Sequence, residues 1–139
     1  MKFIVLTLML LPGLAISSDL EVNRKAWESN RENSYSYTLK RGGVFGYSLY
    51  KIKIKNGDCR AKSKYVFDRT PMLWKKDSCE GNTIEELYES VRSQIAEGVI
   101  KMELTYDEKY SFISYFSVEP KTDYTDQDWY FEITKFKVK

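Results

Sequence analysis

The chain has 139 residues, a length typical of a single domain. Its 22 Lys and Arg residues against 20 Asp and Glu residues give a net charge of +2, which argues against a general nucleic-acid or membrane-surface binder. An apolar content of 42% argues against disorder, and the absence of histidine removes both the best proton carrier near pH 7 and the commonest metal ligand. These counts narrow the possible chemistry without identifying a function.

The first 17 residues have the pattern of a signal peptide. A single lysine precedes a largely apolar run at residues 3–11, which is far shorter than the about 20 residues that a membrane-spanning helix needs. Ala15 and Ser17 place small side chains at positions −3 and −1 of a cleavage site after residue 17. We therefore expect residues 18–139 to be exported as one domain, to the periplasm or the medium. Retention of the leader as an N-terminal anchor is the alternative.

Cys59 and Cys79 are the two cysteines of the chain. An even number of cysteines in an exported chain indicates a disulfide bond, which would close a loop of about 20 residues and add roughly 3 kcal/mol to stability. Two free thiols are the alternative. A redox role is disfavoured because no C-x-x-C string occurs.

A helix and a strand are predicted after the leader. Residues 18–33 are mostly polar and contain neither Pro nor Gly, and Ser18 with Glu21 fits a capping box. We expect this helix to dock mainly through Trp27. Residues 34–39 are β-prone and predict the first strand, and the next three glycines predict a loop.

The turn residues Asn56 and Gly57 are the strongest short turn signal in the chain, and they predict a β-hairpin of strands 47–55 and 59–67. With both residues at the centre of the turn, uncharged side chains share one face and basic side chains share the other. A three-residue loop would mix the two faces, so the alternation of side chains favours the two-residue turn.

One face of this hairpin is strongly basic. Lys53 is expected opposite Arg60 and Lys51 opposite Lys62, and such like-charge pairs destabilise a sheet by a few tenths of a kcal/mol up to about 1 kcal/mol each. A solvated face whose lysines protect an edge strand is one explanation. An anion-binding surface for an acidic protein or a phosphorylated envelope glycan is the other, and it requires an uncovered face. The six basic residues are Lys51, Lys53, Lys55, Arg60, Lys62 and Lys64.

The second half of the chain repeats a helix followed by three strands. Residues 68–82 predict a loop that carries Trp74, a candidate exposed contact residue. Thr83 and Glu86 form the sequence pattern of a capping box, and the helix that they begin is expected to end at Gly98. Its apolar face is predicted to comprise Ile84, Leu87, Tyr88, Val91 and Ile95. The strands that follow are predicted at residues 100–106, with Ile100 on the buried face, 111–119 and 129–138.

The predicted element order is α-β-β-β-α-β-β-β. Short connections between successive strands favour antiparallel pairing. We therefore expect an α+β fold, in which an antiparallel sheet carries two helices packed on one face. The repeated pattern of one helix and three strands suggests an internal structural repeat.

A series of short motifs runs along the chain between residues 22 and 138. They are Ala26-Trp27, Tyr35-Ser36-Tyr37-Thr38-Leu39, Asn56-Gly57, Thr83-Ile84-Glu85-Glu86-Leu87-Tyr88 and Tyr106-Asp107. In this order and spacing they resemble the exported bacterial family called domain of unknown function 6174. The chain departs from that family at residues 41–44, where members often carry cysteine, and at residues 110–113, where they tend to have Gly-Tyr-Pro. The resemblance implies export and an α+β fold, and it implies no reaction because none is assigned to the family.

No residue is assigned a catalytic role. Nucleophilic catalysis needs an activated side chain beside a base, and neither a histidine nor a G-x-S-x-G string occurs. Carboxylate-pair hydrolysis is an alternative, because acidic residues crowd at Asp107-Glu108 and at Asp123, Asp126 and Asp128. The first pair is also typical of a turn, and the second group is more typical of a solvated loop than of a calcium site.

The sequence therefore favours a non-catalytic exported binding module that uses a sheet face, and a small carboxylate-dependent hydrolase is the alternative. The expected partner of such a module is an acidic protein or an anionic envelope polymer rather than nucleic acid. No cofactor or metal is expected, and residues 18–139 contain no segment that is expected to span a membrane.

Overall fold

The computed structural model describes residues 12–43, 45–67, 70–120 and 128–139. Within them, two helices and eight strands follow one another as α1 Pro12–Asn30, β1 Tyr35–Gly43, β2 Gly46–Lys55, β3 Asp58–Phe67, β4 Thr70–Pro71, β5 Lys75–Asp77, α2 Ile84–Glu97, β6 Val99–Tyr106, β7 Ile113–Pro120 and β8 Trp129–Val138. The predicted α+β order is confirmed, and the short strands β4 and β5 lie in the segment predicted to be a loop. Residues 1–11 of the predicted leader lie outside the described residues.

All eight described strands join one antiparallel sheet in the order β4-β3-β2-β1-β8-β7-β6, with β5 pairing to β3 beside β4. Two three-stranded meanders, β1 to β3 and β6 to β8, meet where β1 pairs with β8. The strand that follows α1 is therefore central, whereas the strand that follows α2 lies at an edge. The suggested repeat holds for the order of the elements and not for their positions in the sheet.

The hairpin of β2 and β3 has the predicted register. Asn56 has a φ of 50° and Gly57 a φ of 84°, so both central residues adopt the positive φ that a type I′ turn requires. Ile54 then pairs with Cys59, and each later pair along the two strands follows, including the two like-charge pairs.

Helix α2 begins at the capping box predicted from its sequence. The Thr83 hydroxyl accepts a hydrogen bond from the Glu86 backbone N–H at 3.3 Å, and the Glu86 carboxylate accepts one from the Thr83 backbone N–H at 3.1 Å. These bonds satisfy N–H groups that the start of a helix leaves without partners. The helix ends at Gly98, as predicted. Its buried side chains are Ile84, Leu87, Tyr88 and Val91.

Helix α1 packs on the sheet through Trp27, as predicted. The indole ring is fully buried. Its edge-on aromatic partners, by distance between ring centroids, are Tyr35 at 5.3 Å, Phe112 at 6.0 Å and Phe136 at 5.9 Å. Because these rings come from β1, from the segment before β7 and from β8, one side chain connects α1 to both meanders.

The start of α1 differs from the prediction. The helix begins at Pro12, so Ser18 is an interior residue rather than the N-cap. The carboxylate of Glu21, expected to complete the capping box, instead accepts a hydrogen bond from the Arg92 side chain of α2 at 3.0 Å. The expected cleavage point after Ser17 lies within this helix. Among the described residues, no helix combines the length and apolarity needed to cross a membrane.

Strand β6 differs from the prediction at one residue. Its pairing with β7 shifts between Val99 and Lys101, so Ile100 does not share the inner face with Met102 and Leu104. Ile100 is 62% exposed, whereas Val99 packs against the core. The prediction that Ile100 is buried is wrong, because a local irregularity of the ladder reverses which face a side chain takes.

The two cysteines lie at disulfide distance. The Sγ atoms of Cys59 in β3 and Cys79 ahead of α2 are 2.04 Å apart, and the Cα atoms are 6.3 Å apart. The pair therefore ties the first meander to the segment that leads into the second helix.

Candidate functional site

The basic face of the β2–β3 hairpin is exposed, and the helices pack on the opposite side of the sheet. Ile52, Ile54 and Ala61 alternate with basic residues and are buried in the core. Because successive side chains of a strand point to opposite faces, the intervening basic side chains point away from the helices. The exposed residues of this face include Lys51, Lys53, Arg60 and Lys62.

Pairing with other strands enlarges this face beyond the hairpin. Strand β5 brings Lys76 beside Lys62, and β1 places Ser36 between Lys53 and Lys137 of β8. Together these strands form an open depression of about 1020 Å³, here called the cationic depression. Its basic residues are Lys51, Lys53, Arg60 and Lys62 of the hairpin, with Lys76, Lys135, Lys137 and Lys139.

Asp77 is the acidic residue among the described residues that border the cationic depression, but it pairs with the buried Ala61, so its side chain points to the helix-facing side of the sheet. Its carboxylate accepts a hydrogen bond from the Ser63 hydroxyl at 2.6 Å and another from the Ser78 backbone N–H at 2.7 Å. These two bonds, the first more than the second, lower the pKa of Asp77. Because this carboxylate is engaged on the other face of the sheet, it offsets little of the positive charge, and the depression remains strongly cationic.

The arginines of the two helices have carboxylate partners, whereas the basic residues of the depression have none among the described residues. Arg24 pairs with Glu28 at 3.1 Å and also with Glu89, and Arg92 pairs with Glu89 at 3.0 Å. Among the ion pairs formed by described residues, none includes a side chain that lines the depression. The cations of the depression therefore have no carboxylate partner among the described residues, although the whole chain is nearly neutral.

Like charges meet inside the depression. Lys53 lies in contact with Lys139, and this contact, together with burial and the charge of Arg60, lowers the pKa of Lys53. The direction shows that the positive form of Lys53 is disfavoured by its neighbours. A bound anion would raise the pKa of Lys53, because a nearby negative charge favours the protonated, positively charged form of the lysine. The arrangement is suited to hold an anion.

Lys135 enters the depression through a bulge in β8. The register between β1 and β8 shifts between Ser36 and Thr38, which leaves Lys135 and Phe136 opposite Tyr37. Phe136 packs against the core, and Lys135 adopts a φ of 53°. The left-handed conformation costs roughly 1–2 kcal/mol in a residue other than glycine. The bulge therefore places a lysine in the depression at a cost in backbone strain, a combination often found beside functional sites.

Two of the six predicted site residues lie outside the lining of the depression. Lys55 is exposed beside the turn, opposite Asp58. Lys64 is half-buried, and its Nζ lies 4.8 Å from the ring centroid of Trp74. The Nζ of Lys51 approaches the same ring at 4.4 Å. Trp74, predicted to be a contact residue in a loop, therefore adjoins the cationic depression.

Four lysines of the depression were not predicted to belong to the site. Lys135, Lys137 and Lys139 alternate along the end of the chain, so their common exposure was visible in the sequence, but the pairing of β8 with β1 was not. Lys76 was missed because the segment that contains β5 has the composition of a loop.

Of the acidic residues considered for catalysis, Asp107 occupies a turn. Asp107 accepts hydrogen bonds from two backbone N–H groups of its own loop at 3.0 and 2.7 Å, as a turn residue does. Asp123 and Asp126 lie outside the described residues, and Asp128 lines a separate depression of about 360 Å³. In the described part of the chain, no group of three or more Asp, Glu or Cys side chains is placed to hold a metal ion.

Asp77 and Glu86 have carboxyl groups with a clearly shifted pKa, and both shifts are downward. Hydrogen bonds hold each carboxylate in its charged form, Asp77 through Ser63 and Glu86 through the capping box. In Glu86 these bonds outweigh burial, which acts in the opposite direction. A carboxylic general acid needs a raised pKa, so neither group has the electrostatic setting of a hydrolase acid.

Replacing Lys62 by glutamate is expected to raise the free energy of unfolding. Lys62 lies between Lys51 and Lys76, so the change K62E turns two like-charge pairs into two attractive pairs. Cross-strand charge pairs contribute up to about 1 kcal/mol, so we expect a gain of about 0.5–1 kcal/mol. Urea unfolding at low ionic strength measures this gain, and added salt is expected to reduce it by screening the charges.

Two further variants separate the contributions to this effect. K62Q removes the repulsion without adding attraction and is expected to lie between wild type and K62E. Lys101 of β6 already pairs with Glu119, so K101E creates a like-charge pair and is expected to lower stability by a few tenths of a kcal/mol. A net loss of stability in K62E would contradict the prediction.

Comparison with known proteins identifies the family of the chain. No curated protein and no solved structure matches it. The family model described as "Family of unknown function (DUF6174)" matches residues 19–138, which include most of α1, all of α2 and every strand from β1 to β8. The order of short motifs predicted this family. The chain therefore belongs to the family of unknown function DUF6174.

Proposed function

We propose that this protein is an exported, non-catalytic binding module whose cationic depression binds an extended anionic partner, such as an acidic protein or a phosphorylated envelope polymer. The observation that carries the proposal is the gathering of eight basic residues at one uncovered sheet face, none of them in an ion pair with a described residue. Such a face lowers stability through like-charge repulsion, and a bound anion relieves that repulsion.

The width of the depression favours an extended ligand over a small anion. It is built from five neighbouring strands, β5, β3, β2, β1 and β8. Strands lie about 4.8 Å apart, so the depression extends over about 19 Å. Lys76 lies on one side of it and Lys137 on the other. A single phosphate group reaches only a few of these cations, whereas a chain of anionic groups reaches all of them.

Two features support export. Residues 1–17 have the pattern of a signal peptide, although residues 1–11 lie outside the described part of the chain. Cys59 and Cys79 lie at disulfide distance, and disulfide bonds persist mainly in oxidising compartments outside the cytosol. An anionic envelope component is therefore a suitable partner class.

The double variant K53E/K62E tests the proposal. Both side chains are exposed, so the variant is expected to keep the far-UV circular dichroism spectrum of the wild type. The wild type is expected to be retained on a polyphosphate column and to elute at higher salt than the variant. Each cation near an anionic surface contributes about 1 kcal/mol, so we expect the affinity for polyphosphate to fall roughly 30-fold or more.

The variant K25E/K101E is the matched control. Lys25 on α1 and Lys101 on β6 are exposed and lie outside the cationic depression, and the two substitutions change the net charge by the same amount. We expect this variant to elute close to the wild type. If K53E/K62E and K25E/K101E elute together, net charge alone governs retention and no site exists on β2 and β3.

A further inference from the structure

A cluster of exposed apolar side chains adjoins the cationic depression. Five of the eight large apolar side chains that are exposed in the described part of the chain lie at the end of β2 and β3 that is remote from the Asn56 turn. These five, here called the apolar tip, are Phe45, Tyr65, Phe67, Met72 and Leu73. Leu73 is 91% exposed and Phe45 is 69% exposed, and such clustering on a soluble surface marks an interaction site.

Backbone contacts order the apolar tip. The Met72 N–H donates a hydrogen bond to the Tyr65 carbonyl oxygen at 3.0 Å, and the Tyr65 hydroxyl donates one to the Phe45 carbonyl oxygen at 3.2 Å. The short strand β4 pairs with the end of β3 in the same place. The exposure of these side chains is therefore a property of the folded chain and not of a frayed segment.

Trp74 connects the apolar tip to the cationic depression. It follows Leu73 directly, and its half-buried ring lies beside the ammonium groups of Lys51 and Lys64, 4.4 and 4.8 Å from the ring centroid. Tryptophan combines a large apolar ring with a polar N–H and is enriched where a membrane meets water. Tyr65 and Phe67 alternate with Lys64 along β3, so they project on the side of the sheet opposite the cations, and the apolar tip is exposed on both sides of the sheet. From the end of the sheet inward, the order is therefore exposed apolar side chains, an amphipathic ring, and then cations.

We propose that this end of the sheet docks the protein onto an anionic lipid bilayer, with the apolar tip inserted at the acyl boundary and the neighbouring cations of the hairpin at the level of the headgroups. The inference rests on the proposed function, because it assigns a lipid surface as the anionic partner. A soluble polyanion or an acidic peptide satisfies the cations but leaves Met72 and Leu73 in water. A bilayer accommodates cations, tryptophan and apolar side chains at successive depths.

The near-neutral net charge of the chain does not oppose this inference. Acidic residues such as Glu21, Glu85 and Glu89 pair with arginines in the helical layer, which lies behind the sheet. The outer face of the sheet also carries Glu103 and Glu119, but they lie on β6 and β7, which β1 and β8 separate from the hairpin. Because charges are screened beyond about 10 Å, a bilayer that docks at the hairpin experiences the depression rather than the total charge.

Sedimentation of the full chain with vesicles tests the inference. The wild type is expected to bind vesicles made of equal parts phosphatidylglycerol and phosphatidylcholine, and to bind pure phosphatidylcholine vesicles far more weakly. The variant M72S/L73S is expected to lose about tenfold in partitioning to the anionic vesicles, because it removes two apolar side chains from the tip. The same variant is expected to elute with the wild type from the polyphosphate column.

Two comparison variants distinguish the inference from the proposed function. V22S/I100S removes two exposed apolar side chains remote from the apolar tip and is expected to bind vesicles as the wild type does. K53E/K62E is expected to lose both vesicle binding and polyphosphate retention. If M72S/L73S and the wild type partition equally, or if the wild type binds polyphosphate but not anionic vesicles, the membrane inference is wrong while the anion site stands. If the wild type binds neither probe, both are wrong.

Fluorescence quenching measures insertion without altering the apolar tip. Of the three tryptophans, Trp27 is fully buried and Trp129 packs on Phe116 and Phe131 away from the tip, so the indole next to the tip is Trp74. Brominated acyl chains in the anionic vesicles are expected to quench the emission of the wild type, and the variant W74F is expected to lose most of that quenching. Quenching that is equal in wild type and W74F, or absent in the wild type, would overturn insertion at the tip.

Discussion

Replacing Trp27 with alanine is expected to lower the free energy of unfolding by about 3–5 kcal/mol, a large share of the stability of a domain of this size. The indole is fully buried among rings of both meanders, so its removal leaves a cavity where α1 meets the centre of the sheet. It also removes the hydrogen bond that the Trp27 Nε1 donates to Glu85 at 3.3 Å. Urea unfolding followed by far-UV circular dichroism measures the loss.

Two variants of α1 make this result specific. V22A changes a residue of the same helix that is 64% exposed, and its effect is expected to stay within about 0.5 kcal/mol. W27F keeps much of the aromatic contact, so its free energy of unfolding is expected to lie between those of wild type and W27A. If W27A does not fold, W27F still allows the loss of stability to be measured. A loss below about 1 kcal/mol in W27A would contradict docking of α1 through this residue.

Removing the pair of Cys59 and Cys79 is expected to cost about 3 kcal/mol, the second largest effect. A disulfide that closes a loop of about 20 residues reduces the number of conformations of the unfolded chain. The serine variant C59S/C79S regains those conformations, which stabilises its unfolded state relative to its folded state. The pair of cysteines also connects β3 to the segment that leads into α2. Thermal unfolding of wild type and variant, both without reductant, measures the difference.

A reducing agent provides the control for this prediction. It is expected to lower the stability of the wild type to about that of C59S/C79S and to leave the variant unchanged. Thiol titration of the denatured, unreduced wild type is expected to detect no free thiol. Two titratable thiols would show that the cysteines are not bonded, and the stability difference would then have another cause.

Structural elements that are determined by a few neighbouring residues, such as a turn or a helix cap, were predictable from the sequence. The register of the β2–β3 hairpin follows from the positive φ that Asn56 and Gly57 accept, and the start of α2 follows from the reciprocal bonds of Thr83 and Glu86. The face that Ile100 takes was not predictable, because it depends on a register shift between two strands. The start of α1 was misplaced since Ser18 has the residue type of a cap but lies inside a longer helix.

The part of the candidate site on the β2–β3 hairpin was predictable from the sequence, because its signals are local. The part that depends on pairing between distant strands was not. Lys53 and Lys62 share a face because one turn relates their strands, and that turn is visible in the sequence. Lys137 reaches the same face only because β8 pairs with β1, a contact between distant parts of the chain. Lys135 reaches it through a bulge, which depends on packing Phe136 into the core. The apolar tip depends on β4, whose two residues are too few to give a strand signal.

The pairing of β1 with β8 has a consequence for how the chain acquires its structure. Tyr35 pairs with Val138, and the Lys139 N–H donates a hydrogen bond to the Ser34 carbonyl oxygen at 3.1 Å, so the central ladder joins β1 to a strand that is far from it in the sequence. Contacts between such distant residues form slowly, because a long loop must close before they add stability. Phe136, a ring of the Trp27 cluster, also arrives with β8. A chain without β8 can form the β2–β3 hairpin and α2 but cannot complete its core, so we expect stable folding to wait until this ten-residue strand pairs with β1.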